Sequence, residues 1–103
     1  MASRLLITLS AEGDRDRIVE YLLNDLQSQQ AAGHFLDEME QTLARICDYL
    51  ELCALSQDAH LARLGYRTCR FMNYLLVYVF DKAADTVTLG RIFHTRQDYA
   101  KLV

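Results

Sequence analysis

The chain has 103 residues, 51% apolar and 24% charged, with no proline; that suits one domain spanning residues 1–103 and excludes a low-complexity or disordered protein. Its net charge of -3 and pI near 5.5 exclude bulk binding to nucleic-acid phosphates, which calls for a basic excess. The charge is unevenly spread: residues 1–59 hold four basic side chains against eleven acidic ones, and residues 60–103 seven basic against three acidic.

In chain order, Arg4 to Leu9 is apolar and strand-like. As a signal segment it is too short, and it runs straight into Glu12, Asp14 and Asp16. No later run approaches the length of a membrane span, so the expected protein is soluble and cytoplasmic with no membrane partner. Ser10 is a suitable helix N-cap, and the acidic residues after it sit where the helix dipole favours negative charge. Ile18, Val19, Leu22 and Leu26 then recur at helical spacing, and Asn24 to Ser28 reads as a break with Ser28 as the next cap. In the second helix Leu36, Met39, Leu43, Ile46 and Leu50 step by three and four, with Phe35 and Cys47 widening the stripe. Two such helices with a short break predict an antiparallel hairpin.

Periodicity fails from Leu52 to Leu64, which predicts a loop with His60 exposed. Cys47, Cys53 and Cys69 are odd in number and contain no CxxC pair, so they read as reduced thiols. Cys53, His60 and Cys69 would need a fourth ligand to hold zinc; no metal or cofactor is expected. Three strands follow, near Tyr66–Met72, Leu75–Phe80 and Thr86–His94, with turns at Asn73-Tyr74 and Asp81 to Asp85. The first alternates, and the second is apolar throughout, as suits a central strand. The predicted fold is α+β: an N-terminal strand, an antiparallel helical hairpin, then three antiparallel strands forming a small twisted sheet with the hairpin on one face.

The C-terminal part gathers polar chemistry: Gly65-Tyr66-Arg67, Asn73-Tyr74-Leu75-Leu76-Val77-Tyr78, and His94-Thr95-Arg96-Gln97-Asp98-Tyr99. With Ser10-Ala11-Glu12-Gly13-Asp14, Ile18 and Tyr21 ahead of them, and Ala32 and Phe35 through Ile46 in the second helix, these segments resemble the RelE/ParE superfamily of type II toxins. These are small bacterial proteins, some of the plasmid-stabilisation type, held inactive by a cognate antitoxin in a hetero-oligomer. One departure is the stretch Leu52 to Gln57, which has neither the proline nor the glycine that members often carry there.

The resemblance implies two mechanisms. RelE-like members cut messenger RNA in the ribosomal A site, where attack by the 2′-hydroxyl needs a base, an acid and fixed positive charge. His94 with Arg96 and Tyr99 is the candidate catalytic set for that reading, but the central-strand position that commonly holds an arginine reads Leu75. ParE-like members instead bind and poison DNA gyrase, which needs surface and no catalytic constellation; that branch is the expected one. Arg67, Arg70, Arg91 and Arg96 are then the candidates to meet the antitoxin's acidic segment or the target, with pairing among Arg91, Arg96 and Asp98 as the purely structural alternative. A degenerate, non-toxic interaction module is the third reading.

Overall fold

The structure is a computed structural model, and residues 3–97 are described. Strand β1 (Arg4–Ile7) turns Leu5 and Ile7 toward the core and leaves Leu6 exposed. Helix α1 (Leu9–Glu20) starts one residue before Ser10, because Thr8 is the cap: its Oγ1 accepts the Ala11 N–H at 3.1 Å. The same hydroxyl donates to the Gly90 carbonyl at 2.8 Å, which ties the strand-to-helix corner to the far end of the chain. Ser10, expected to cap, is exposed within the first turn. Thr8→Ala should therefore cost about 1–2 kcal/mol of stability and Ser10→Ala under about 0.5 kcal/mol, as read from denaturation midpoints. Equal losses would reassign the cap.

The expected break between the helices takes the form of one π-type turn, Tyr21–Asp25, in which Leu26 N–H reaches back to the Tyr21 carbonyl. The extra residue rotates the helix out of phase. Leu22 stays buried while Leu26, expected on the apolar stripe, is 54% exposed. Gln27 (φ 49°) then redirects the chain, and Ser28 caps helix α2 (Gln29–Asp48) by accepting from Ala31 N–H at 3.0 Å. The α2 stripe is as expected: Phe35, Met39, Leu43, Ile46 and Cys47 are buried, and Leu36 and Leu50 pack partly against them.

The loop after α2 contains more structure than its sequence suggests. Asp58 caps a short helix α3 (Ala59–Arg63), on which His60 is exposed as expected. The helix closes in a Schellman pattern, with Gly65 N–H bonded to the Ala62 carbonyl and Tyr66 N–H to that of Leu61. Gly65 sits at φ 88°, a conformation that side chains rarely adopt.

Strands β2 (Arg67–Phe71), β3 (Tyr74–Asp81) and β4 (Thr86–His94) complete a four-stranded sheet of order β1-β4-β3-β2. Only the β1–β4 pair is parallel; the β2–β3–β4 meander is antiparallel. The β2–β3 turn is Met72-Asn73, one residue earlier than expected, with Met72 at φ 52°. Asp81 organises the next turn by accepting Ala83 and Ala84 N–H groups on Oδ1. A register shift at Val77/Tyr78 lets β4 bulge near Gly90. The α1–α2 hairpin covers the face that carries Cys69, Phe71, Leu76, Tyr78, Val87, Leu89 and Ile92.

The cysteine expectation is corrected. Cys53 and Cys69 are joined in a disulfide with Cα atoms 5.3 Å apart, and Cys47 alone is a free thiol, buried in the core. Sequence spacing hid the pair because a single bridge from Leu55 to Arg67 folds the loop back onto β2. Among the described residues no helix is long and apolar enough to cross a membrane.

Candidate functional site

A cleft of about 360 Å³ opens where α1 meets the ends of β3 and β4, lined by Asp14, Arg17, Tyr21, Tyr74, Arg91 and His94 among others. It follows from the different lengths of two strands. The parallel partnership of β1 with β4 ends at Ile7↔Leu89, and α1 takes over that flank of β4. Main-chain donors beyond Leu89 then need a partner other than a strand. Asp14 supplies it: Oδ2 accepts the Ile92 N–H at 3.0 Å.

The same carboxylate organises two arginines. Arg91 grips it through Nε to Oδ2 at 2.7 Å and Nη2 to Oδ1 at 3.0 Å, and Arg17, one helical turn on, donates Nη2 to Oδ1. Asp14 is only 5% exposed, so burial by itself would raise its pKa. The hydrogen bonds from Arg91 and Ile92, with the charges of Arg91 and Arg17, outweigh burial and hold the carboxyl below its ordinary 3.8. Those bonds in turn raise the Arg91 guanidinium above its usual range, and Arg91 also lies over the Phe93 ring at 4.7 Å. Two guanidiniums around one carboxylate leave this wall of the cleft with one net positive charge, and Arg17, whose side chain is 68% exposed, carries it to the rim.

His94 lies on the opposite wall. It is directly across from Tyr74 in the sheet, with the two rings edge to face at 5.6 Å. The turn after β4 folds back on it: His94 N–H donates to Gln97 Oε1 at 2.9 Å, and Nδ1 accepts the Arg96 N–H at 3.1 Å. With Nδ1 accepting, a neutral His94 carries its ring proton on Nε2. Tyr74 stands between His94 and Phe35, and burial, with Tyr21 nearby, raises its phenol and keeps it neutral.

The arginines proposed from sequence do not share one surface. Arg67 pairs in register with Tyr78, donates Nη1 to the Cys53 carbonyl at 2.7 Å and lies over Phe80, so it holds the loop after α2. Arg70 is exposed on the opposite face, next to Leu75, and Leu75 is paired with Phe93. Arg91 is committed to Asp14, and Arg96 is exposed in the turn beside His94. Leu75 thus faces away from Tyr74 and His94, its neighbour and that neighbour's partner, because alternate residues of a strand point to opposite faces. Asp98 and Tyr99 lie outside the described residues. Sequence reasoning missed Asp14 as a site residue: it read as one more acid in a first helical turn, and only a strand about eighty residues later reveals its task.

An N-terminal strand, a helical hairpin and a three-strand meander, with a polar cleft where the first helix crosses the last strand, define a toxin fold of the RelE/ParE type. The chain is similar to the RelBE2 toxin-antitoxin complex from Mycobacterium tuberculosis, at a TM-score of 0.63 and 17% identity over 91% of this chain and 99% of that one. It is also similar to the chromosomal ParDE system of P. aeruginosa, at 0.68 and 15% identity over 90% and 96% of the two chains. No curated protein sequence matches it. Residues 5–99 match the family of ParE toxins of type II toxin-antitoxin systems, and the chain belongs to that family.

Proposed function

We propose that this ParE-family toxin acts by binding DNA gyrase and stabilising cleaved DNA, and that a cognate antitoxin neutralises it in a hetero-oligomer. The observation that supports the reading is the Asp14 cluster, in which a nearly buried carboxylate neutralises one of the two guanidiniums on the cleft wall that faces His94. Leu75, at the place where a ribonuclease of this superfamily commonly carries an arginine, lies on the other face of the sheet from His94 and so neither supplies nor removes charge at the imidazole. Arg91, the guanidinium nearest in sequence to His94 among the cleft residues on β4, is neutralised by a buried carboxylate. The remaining cations near the imidazole, Arg17 at the rim and Arg96 in the turn, are both solvent-exposed, where water weakens what they could offer a phosphorane, whereas inhibition by binding needs only surface. The antitoxin meets the exposed cations Arg17 and Arg96 on the His94 side with an acidic segment, which speeds and orients docking more than it adds affinity.

The purified toxin is expected to inhibit gyrase supercoiling or to accumulate gyrase-linked DNA breaks, and addition of its antitoxin should reverse both. Gyrase unaffected at saturating toxin removes this reading. The ribonuclease reading rests on one observation, that His94, Tyr74 and Arg17 line the same cleft. It requires A-site cuts on translating ribosomes that disappear with His94→Ala.

A further inference from the structure

The loop between α2 and α3 lies along the outer edge of β2, which is the last strand of the sheet. Two main-chain hydrogen bonds seat it and together make the Leu55↔Arg67 bridge: Ser56 N–H to the Tyr66 carbonyl at 2.9 Å, and Thr68 N–H to the Ala54 carbonyl at 3.3 Å. Side chains add the Arg67 bond to the Cys53 carbonyl, the Tyr78 hydroxyl bond to the Leu50 carbonyl at 3.2 Å, and the exposed Lys82–Glu51 pair at 3.1 Å. Apolar burial in this segment is confined to Leu50 and Cys53, which pack partly against the core, while Tyr49, Leu52 and Leu55 are 69%, 44% and 45% exposed. A segment held by hydrogen bonds at the surface with few buried apolar contacts is one that opens locally. The Cys53–Cys69 bond is the covalent link in this set, and it joins the loop to a residue only 5% exposed in the core face of β2.

We propose that Cys53 and Cys69 form a reversible redox clasp, closed by thiol–disulfide exchange with a small disulfide, which is reduced to two thiols, and opened by a dithiol reductant, and that it sets how tightly the loop covers the β2 edge. In the opening step a thiolate of the reductant attacks the half-buried Cys53 sulfur, and Cys69 leaves as a thiolate and takes up a proton. The reductant's second thiol then closes its own disulfide and releases Cys53 as a thiol, so two electrons and two protons pass to the protein. Cys69 is the leaving sulfur because it is the more deeply buried of the two. With the clasp open, the loop retains its hydrogen bonds but loses the tie across 16 residues that limits how far it can depart. The Tyr66 carbonyl and Thr68 N–H are then intermittently uncovered, and an uncovered edge strand is an open pairing surface. The clasp does not depend on the toxin's target.

The test uses the full chain purified without reductant and treated with glutathione disulfide, with and without subsequent dithiothreitol. Cys53 and Cys69 should resist alkylation until dithiothreitol is added and resist again after reoxidation, as read by mass spectrometry of their peptides. Amide exchange at Ser56 and Thr68 should speed up about tenfold or more on reduction, while Leu76 and Leu89 in the sheet centre stay protected. Cys53→Ser should exchange like the reduced chain and ignore dithiothreitol. Free alkylation of both cysteines after glutathione disulfide treatment overturns the proposal. So does equal exchange at Ser56 and Thr68 in the two redox states.

Discussion

Asp14→Ala should lower the free energy of unfolding by about 3–5 kcal/mol, the range for removing one partner of a buried, hydrogen-bonded ion pair. The loss has two sources. Arg91, whose side chain is only 27% exposed, loses the carboxylate that balances its charge, and the Ile92 N–H loses its acceptor. Asp14→Asn separates them, because an amide oxygen still serves Ile92 while the charge is gone; it should lose about half as much. Urea midpoints for the two variants measure this directly. The pH dependence has a defined sign. The folded carboxyl lies below 3.8, so the unfolded chain binds a proton more readily, and the contribution of Asp14 is complete above the unfolded titration range. It disappears as pH falls through the lower, folded value. The wild-type chain should therefore lose stability more steeply than Asp14→Asn on acidification below about pH 4. Parallel acid limbs for the two proteins would mean that Asp14 is not the anchor of this corner.

The parts of this structure that were legible in the sequence are those governed by short-range periodicity. The α2 stripe from Phe35 to Cys47 and the apolar run of β3 each repeat a local spacing, and each is buried accordingly. The toxin class was legible because the motifs around Tyr74 and His94 resemble a known superfamily. What stayed hidden depends on contacts between distant segments. Thr8 outranks Ser10 as cap since β1 ends at Ile7, which could be known only from its pairing with Leu89. Leu26 leaves the core because one π-type turn shifts the phase, and no single residue announces such a turn. Arg67 looks like a binding residue until the loop at Cys53 folds against it. Asp14 looks like a dipole-compensating acid until β4 arrives, and the cleft, with one wall from α1 and the other from the chain's end, had no local signature.

Phe35→Ala is expected to cost about 3–5 kcal/mol, the usual loss for a fully buried aromatic, and to act on the cleft as well as on the core. Phe35 is 0% exposed, with ring centroids 5.6 Å from Phe71 and 4.9 Å from Tyr74. Tyr74 then meets His94 edge to face. The side chain therefore supports the cleft wall from behind: α2 fixes Phe35, Phe35 fixes the Tyr74 ring, and Tyr74 limits the rotamers open to His94. Deleting the ring opens a cavity next to Tyr74, which can tilt into it because its half-buried position leaves it room to move. Phe35→Leu, which retains much of the volume, should lose less. The imidazole resonances of His94 should shift in Phe35→Ala as the Tyr74 ring current moves, while exposed His60 on α3 keeps its own. A loss below about 1 kcal/mol, or unchanged His94 resonances, would mean that the cleft wall is held from elsewhere and that core and site are separable in this toxin.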